Sequence, residues 1–111
     1  MVERTVSLDR VYRSLADETR RDILRRLTQV EHSISELARP YAMTMAAIAK
    51  HVSVLEGAGL VTKERNGKEK VVRVVPETLE AAREHLSEYE RLRIARSDVS
   101  GGLPAKGVHS Q

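Results

Sequence analysis

Apolar residues recur every three or four positions through the first half of this chain. The spacing shifts toward every second position between Leu60 and Val75, and helical spacing returns after Pro76. Leu8, Val11, Tyr12 and Leu15 make one stripe, with Ser7 placed to cap it, which predicts a first helix. Asp17 stands where a second helix needs its N-cap, and Glu18 follows in the first turn, favoured by the helix dipole. Ile23, Leu24 and Leu27 form the apolar side of that helix, and Arg20, Arg21, Arg25 and Arg26 dress the rest. Ser33 and Glu36 are spaced as a capping box for a very short third helix through about Arg39, with Ile34, Leu37 and Ala38 inward. Pro40 cannot continue a helical ladder and biases Arg39 out of helical geometry.

Tyr41 to Met43 form a turn, and Thr44 caps a fourth helix. Ile48, Val52 and Leu55 recur at i, i+4 and i+7 and fix its buried face. Gly57 and Gly59 end it. From Leu60 the alternation predicts a strand, with Leu60, Thr62 and Glu64 on one side and Val61, Lys63 and Arg65 on the other. Asn66 and Gly67 fit a two-residue type I′ turn. Val71 to Val75 return as a second strand, closed by Pro76. A two-stranded ribbon is barely stable alone, so it must lean on the helices. A last helix over about Glu77 to Arg96 carries Leu79, Ala82, Leu86 and Tyr89 as a narrow seam suited to another helix. From Ser97 onward, Gly101, Gly102, Pro104 and Gly107 punctuate polar residues, and a disordered tail over 97–111 is expected.

The resulting fold class is mainly α with a small β-hairpin: about five helices and a two-stranded wing. Residues 1–96 form one winged helix-turn-helix domain, in which the unit from Ser33 to Val75 is the informative part. Such a unit sets one helix into a DNA major groove, which is about 12 Å wide. With Ile48, Val52 and Leu55 turned inward, the outer side of the fourth helix presents Thr44, Met45, Ala46, Ala47, Lys50, His51 and Ser53. Thr44 is suited to phosphate or to capping, and Ala46 and Ala47 to thymine methyl groups. Lys50 and His51 are suited to base acceptors or phosphate. No Arg, Asn or Gln lies on this helix, so the strongest bidentate base readers are missing. Affinity is therefore expected to lean on phosphate contacts and DNA shape. The wing tip carries Arg65, Asn66, Gly67, Lys68, Glu69 and Lys70, and its bases are suited to phosphate or the neighbouring minor groove.

Charge distribution agrees. The formal net charge of the 111 residues is only +3. Residues 44–75 nevertheless carry six bases (Lys50, Lys63, Arg65, Lys68, Lys70, Arg73) against three acids (Glu56, Glu64, Glu69). Residues 76–96 carry four Arg against five Glu, so the last helix is slightly acidic. A polyanionic partner would touch the wing. The chain has no Phe, Trp or Cys, so its core must be aliphatic. Missing cysteine removes disulfides, thiolate metal sites and cysteine nucleophiles. No apolar run approaches a membrane span, and a cytoplasmic location is expected. No phosphate loop, G-x-S-x-G or H-E-x-x-H is present, and no nucleophile, base and orienting group are set out together; an enzyme is not expected.

The segments LADETRRDILRRL and SISELARPYAMTMAAIAKHVSVLEGAGLVTKERNGKEKVVRV resemble the ArsR family of bacterial winged-helix regulators, over about Val11 to Leu86. The resemblance is to its cysteine-free branch, in which ELA-x-P precedes the recognition helix. It implies a homodimer built mainly from the first and last helices, which binds an inverted-repeat operator as a repressor relieved by some signal. The recognition-helix set (Thr44, Ala46, Ala47, Lys50, His51, Ser53) and the wing set (Arg65, Lys68, Lys70, Arg73) match the family's positions. Leu8, Val11, Leu86 and Tyr89 become the candidate dimer contacts. Relatives often have Pro in place of Ala46, Ser in place of Ala49 and Lys in place of Ser53, so this helix offers fewer polar contacts. Relatives in this branch also tend to have a longer, aromatic last helix.

Metal sensing is common in the family. One known pattern is D-x-H, ten residues, then H-x-x-E on the last helices. His85 and Glu88 match its second half, but Val72 and Val74 stand where Asp and His are required. Half a site falls short of the ligand count zinc demands, so no metal or other cofactor is expected. No inducer can be named. An alternative reading is a winged-helix protein-interaction module with weak or no specific DNA binding.

Overall fold

The computed structural model describes the backbone of residues 6–100 and the side chains of residues 6–96. Five helices and three short strands follow one another as α1 (Leu8–Ser14), α2 (Glu18–Leu27), β1 (His32–Ser33), α3 (Ile34–Ala38), α4 (Met45–Gly57), β2 (Val61–Asn66), β3 (Glu69–Val74) and α5 (Pro76–Ser100). Each predicted cap is in place. Ser7 Oγ accepts from the Arg10 N–H, Asp17 from Arg20, Ser33 from Glu36 and Thr44 from Ala47. One hydroxyl or carboxylate thus satisfies an N–H that the first turn leaves unpaired.

The expected two-stranded wing, β2 and β3, is present, and a third strand joins it. The antiparallel sheet runs in the order β1-β3-β2. His32 and the cap residue Ser33 pair with Val72 and Val71 on the far side of β3. A two-residue strand leaves no alternation to read, and Ser33 serves both as strand residue and as helix cap. The hairpin turn also lies one residue further on than expected. Asn66 pairs with Glu69, so the loop residues are Gly67 and Lys68. Gly67 has φ +68°, and no non-glycine described here has positive φ. A type I′ turn needs two such residues; glycine alone at the first loop position is the signature of type II′.

α5 runs to Ser100, so residues 97–100 of the expected tail are helical; the rest of that tail, 101–111, lies outside the described residues. Pro76 opens this helix rather than closing the strand. Its missing N–H costs nothing in a first turn.

The core is aliphatic throughout. Val11, Ile23, Leu37, Ile48, Val52, Leu55, Leu60 and Val72 are fully buried in one cluster, joined by Leu24, Leu27 and Val61. It therefore takes in the inner faces of α1 to α4 and one face of the wing's base.

α4 ends in a Schellman motif. The Gly59 N–H donates to Glu56 O at 2.9 Å and the Leu60 N–H to Leu55 O at 3.0 Å. Gly59 has φ +82°, whereas a Cβ on helical Gly57 would meet nothing within 4 Å. Gly59→Ala should therefore destabilise the fold by about 1–2 kcal/mol. Gly57→Ala should stabilise it by up to about 1 kcal/mol. Urea unfolding of the two variants checks the pair, which must shift in opposite directions.

Candidate nucleic-acid interface

A five-residue helix does not hold itself together in water. α3 is fixed at both ends instead. At its start the capping box is complete: the Glu36 N–H donates to Ser33 Oγ at 3.2 Å and the Ser33 N–H donates to Glu36 Oε1 at 2.9 Å. That bond from the Ser33 N–H, first among several causes, holds the Glu36 carboxyl below the usual carboxylate range. At its end, Arg26 of α2 donates to Leu37 O at 2.8 Å and to Glu36 O at 3.1 Å. The same guanidinium sits 5.6 Å from the centre of the Tyr41 ring, and the Tyr41 hydroxyl donates to Asp22. The turn between α3 and α4 is thereby tied to α2 by two side chains of that helix, Asp22 and Arg26.

α4 then leaves Thr44 in a direction set by its buried residues, Ile48, Val52 and Leu55. Its first turns face outward. Met45 is 53% exposed, Ala46 and Lys50 are exposed, and Ala47 is half-buried. Between this end of α4 and the wing lies a groove of about 440 Å³. Met45, Ala46 and Ala49, with Ile34 and Ser35 of α3, line its helical side; Arg65, Lys68, Glu69 and Lys70 line the wing side. The fold thus brings Ala46 together with three of the four predicted wing bases. Thr44 stands at the entrance of α4 and spends its hydroxyl on the cap, at 3.0 Å from the Ala47 N–H.

Other predicted residues are engaged elsewhere. His51 Nδ1 lies 3.9 Å from Asp17 Oδ2, packed toward the start of α2. Ser53 Oγ accepts from Lys63 Nζ at 3.4 Å, and Lys63 also meets Glu56 at 3.4 Å. Arg73 is held by two carboxylates, Glu31 at 2.5 Å and Glu64 beside it. Hydrogen bonds to Glu31 first and Glu64 second raise its pKa further. It links the segment before β1 to β2 across the outer face of the sheet. The sequence gives no sign of this, because Glu31 lies 42 residues away. Met45, outward on the fourth helix by its spacing but given no contact role, lines the groove; Ser35 joins it and becomes visible only once α3 is placed.

Of the candidate dimer residues, Val11 is fully buried in the chain's own core and has no surface to offer a second chain. Its place in an i, i+3 stripe gave no hint of which residue would face inward. Leu8 is half-buried, while Leu86 and Tyr89 are 55% and 57% exposed. His85 is tied to α1: its Nδ1 lies 2.7 Å from the Tyr12 hydroxyl oxygen, and the Tyr89 ring meets its edge at 5.2 Å. Among the described residues no three His, Cys, Asp or Glu side chains gather as a metal site, and no helix is long and apolar enough to cross a membrane.

Comparison with known proteins accords with this geometry. A family model described as a helix-turn-helix domain matches residues 15–64. The HTH-type transcriptional regulator Rv2034 of Mycobacterium tuberculosis is 36% identical over 83 residues, covering 75% of this chain and 78% of that protein. A crystal structure of an ArsR family transcriptional regulator, RHA00566, superposes with a TM-score of 0.72 at 32% identity, over 77% of this chain and 93% of that one. The homodimeric winged helix-turn-helix domain Mb0332 of Mycobacterium bovis shares the fold, with a TM-score of 0.60 at 21% identity, over 94% of this chain and 87% of that one. The chain belongs to the ArsR family of winged helix-turn-helix transcriptional regulators.

The caps that position the helices also set an acid limit. The Asp17 carboxyl is held low chiefly by the Arg20 N–H, with a contribution from His51, and Glu36 chiefly by the Ser33 N–H. A carboxyl whose folded pKa lies below its unfolded one stabilises the fold above the unfolded value, and that contribution is lost as pH falls through the folded one. Stability should decline from about pH 5 downward. Asp17→Asn with Glu36→Gln keeps oxygen acceptors at both positions and should flatten that decline, as read by urea unfolding at several pH values. An unchanged acid limb would place its origin elsewhere.

Proposed function

We propose that the chain is a dimeric transcriptional repressor of the cytoplasm that binds an inverted-repeat operator. In this reading the first turns of α4 enter the major groove and the wing tip grips the flanking backbone. The observation that carries it is the α4–wing groove, in which outward-facing Ala46 and Met45 meet Arg65, Lys68 and Lys70 across one continuous surface. Apolar groups there fit base edges and lysine or arginine fits phosphate, so one face supplies both kinds of contact. Lys50 adds a cation to the exposed side of the same helix. Thr44 contributes as the cap that sets the first turn. His51, Ser53 and Arg73 act as supports, not contacts.

Dimerisation draws support from α5. Beyond Ala82, which is buried, its apolar residues Leu86, Tyr89, Leu92 and Ile94 are all about half exposed or more. So many large apolar side chains on one exposed helix favour a second copy as cover. The fold neighbour Mb0332 is itself described as homodimeric. An isologous pair would present two α4 helices to two half-sites about one helical turn of DNA apart.

Two outcomes test this. Binding to a duplex from upstream of the chain's own gene should weaken steeply with salt. Arg65→Ala and Lys68→Ala should each lower the slope of log K against log salt by about one. Arg73→Met should leave the slope unchanged, because its charge is already committed. Fluorescence anisotropy across a salt series measures all three, and equal slopes for every variant would move the DNA face away from the wing. Separately, Leu86→Glu should convert the dimer to monomers in light scattering, and a dimer that survives it would place the interface off α5.

A further inference from the structure

We infer that Met45 is a specificity-determining residue that recognises thymine C5-methyl groups in the major groove, with Ala46 beside it. This rests on the reading of α4 as the DNA-entering helix. Three observations carry it. Met45 is the first residue of α4 and is 53% exposed, although nothing in the chain's own core needs it outside. It lines the groove facing the wing together with Ala46, Ala49 and Ile34, so the α4 part of that wall is apolar and Ser35 of α3 supplies the one hydroxyl beside it. The cations lie on the other wall, where Arg65, Lys68 and Lys70 stand against one acid, Glu69.

The Met45, Ala46 and Ala49 side chains cannot satisfy the amino or carbonyl groups of a base edge. They would strip water from them and return no hydrogen bond, which penalises guanine, cytosine and adenine, whose edges offer no methyl in compensation. Of the four bases only thymine shows an apolar group, its C5-methyl, in the major groove. The methionine side chain is unbranched and polarisable, so it conforms to a methyl without demanding one rotamer. Side chains on a helix also tilt toward its N-terminus, which carries Met45 toward the leading end of α4. The cations opposite supply affinity without reading sequence. Sequence preference at the leading edge of each half-site therefore comes from methyl contacts, and the operator carries thymine there.

The test uses a duplex enriched from a random library by the full chain. Each thymine of the enriched half-site is replaced by deoxyuridine, which keeps base pairing and removes only the methyl. One or two replacements per half-site should weaken binding about fourfold each, the worth of one buried methyl. In Met45→Ala the same replacements should cost little, while Met45→Leu should retain the sensitivity. The slope against salt should be the same for all three proteins, since no phosphate contact changes. Tight binding that is indifferent to deoxyuridine everywhere, or that loses as much in Met45→Ala as in the wild type, overturns this inference and leaves the DNA-binding reading standing. A library that yields no enriched sequence overturns both.

Discussion

The structure depends on holding a helix too short to hold itself. α3 contributes Ile34, Leu37 and Ala38 to the core from five residues, and its ends would fray without help. Ser33 and Glu36 close one end, and Arg26 closes the other by taking the carbonyls of Glu36 and Leu37. Because Arg26 also lies over Tyr41, and Tyr41 reaches Asp22, the turn that follows is fixed to α2 by the same group of side chains. The start of α4 is therefore held through α2, and its buried face of Ile48, Val52 and Leu55 sets the direction it takes from there.

The wing is attached by comparable means. β3 is the central strand, and Val72 sits fully buried beneath it. β1 covers its outer edge, a device that blocks pairing with a foreign strand. Arg73 then joins Glu31 and Glu64 across the sheet face. Exposed ion pairs add little to stability. Their consequence here is geometric, since they join Glu31, next to β1, to β2 through Arg73 of β3. Arg65, Lys68 and Lys70 at the tip face α4 across the groove.

Much of this was legible in the residues. Four helix starts were marked by Ser7, Asp17, Ser33 and Thr44, because a cap is a local rule written in one side chain. The buried faces of α2 and α4 followed from spacing, because helical periodicity and burial are one geometric fact. What stayed hidden was non-local. β1 has two residues and no pattern, and it exists only because β3 passes beside it. The turn was placed one residue early, because Asn-Gly and Gly-Lys both fit a two-residue loop and register with β3 decided between them. Arg73 and His51 looked free on their own elements, and partners on other elements claimed them. Val11 and Leu8 share a stripe, and only the packing of α1 shows which of them is spent on the core.

On this member of the ArsR family, we propose that α4 and the wing tip form one DNA-facing surface. Amide hydrogen exchange of the full chain, with and without a bound upstream duplex, tests it most directly. Protection should concentrate in residues 44–51 and 61–70, with α5 unchanged between the free and bound dimer. Protection confined to α5 or α2, or none in α4 when binding is saturated, would contradict it.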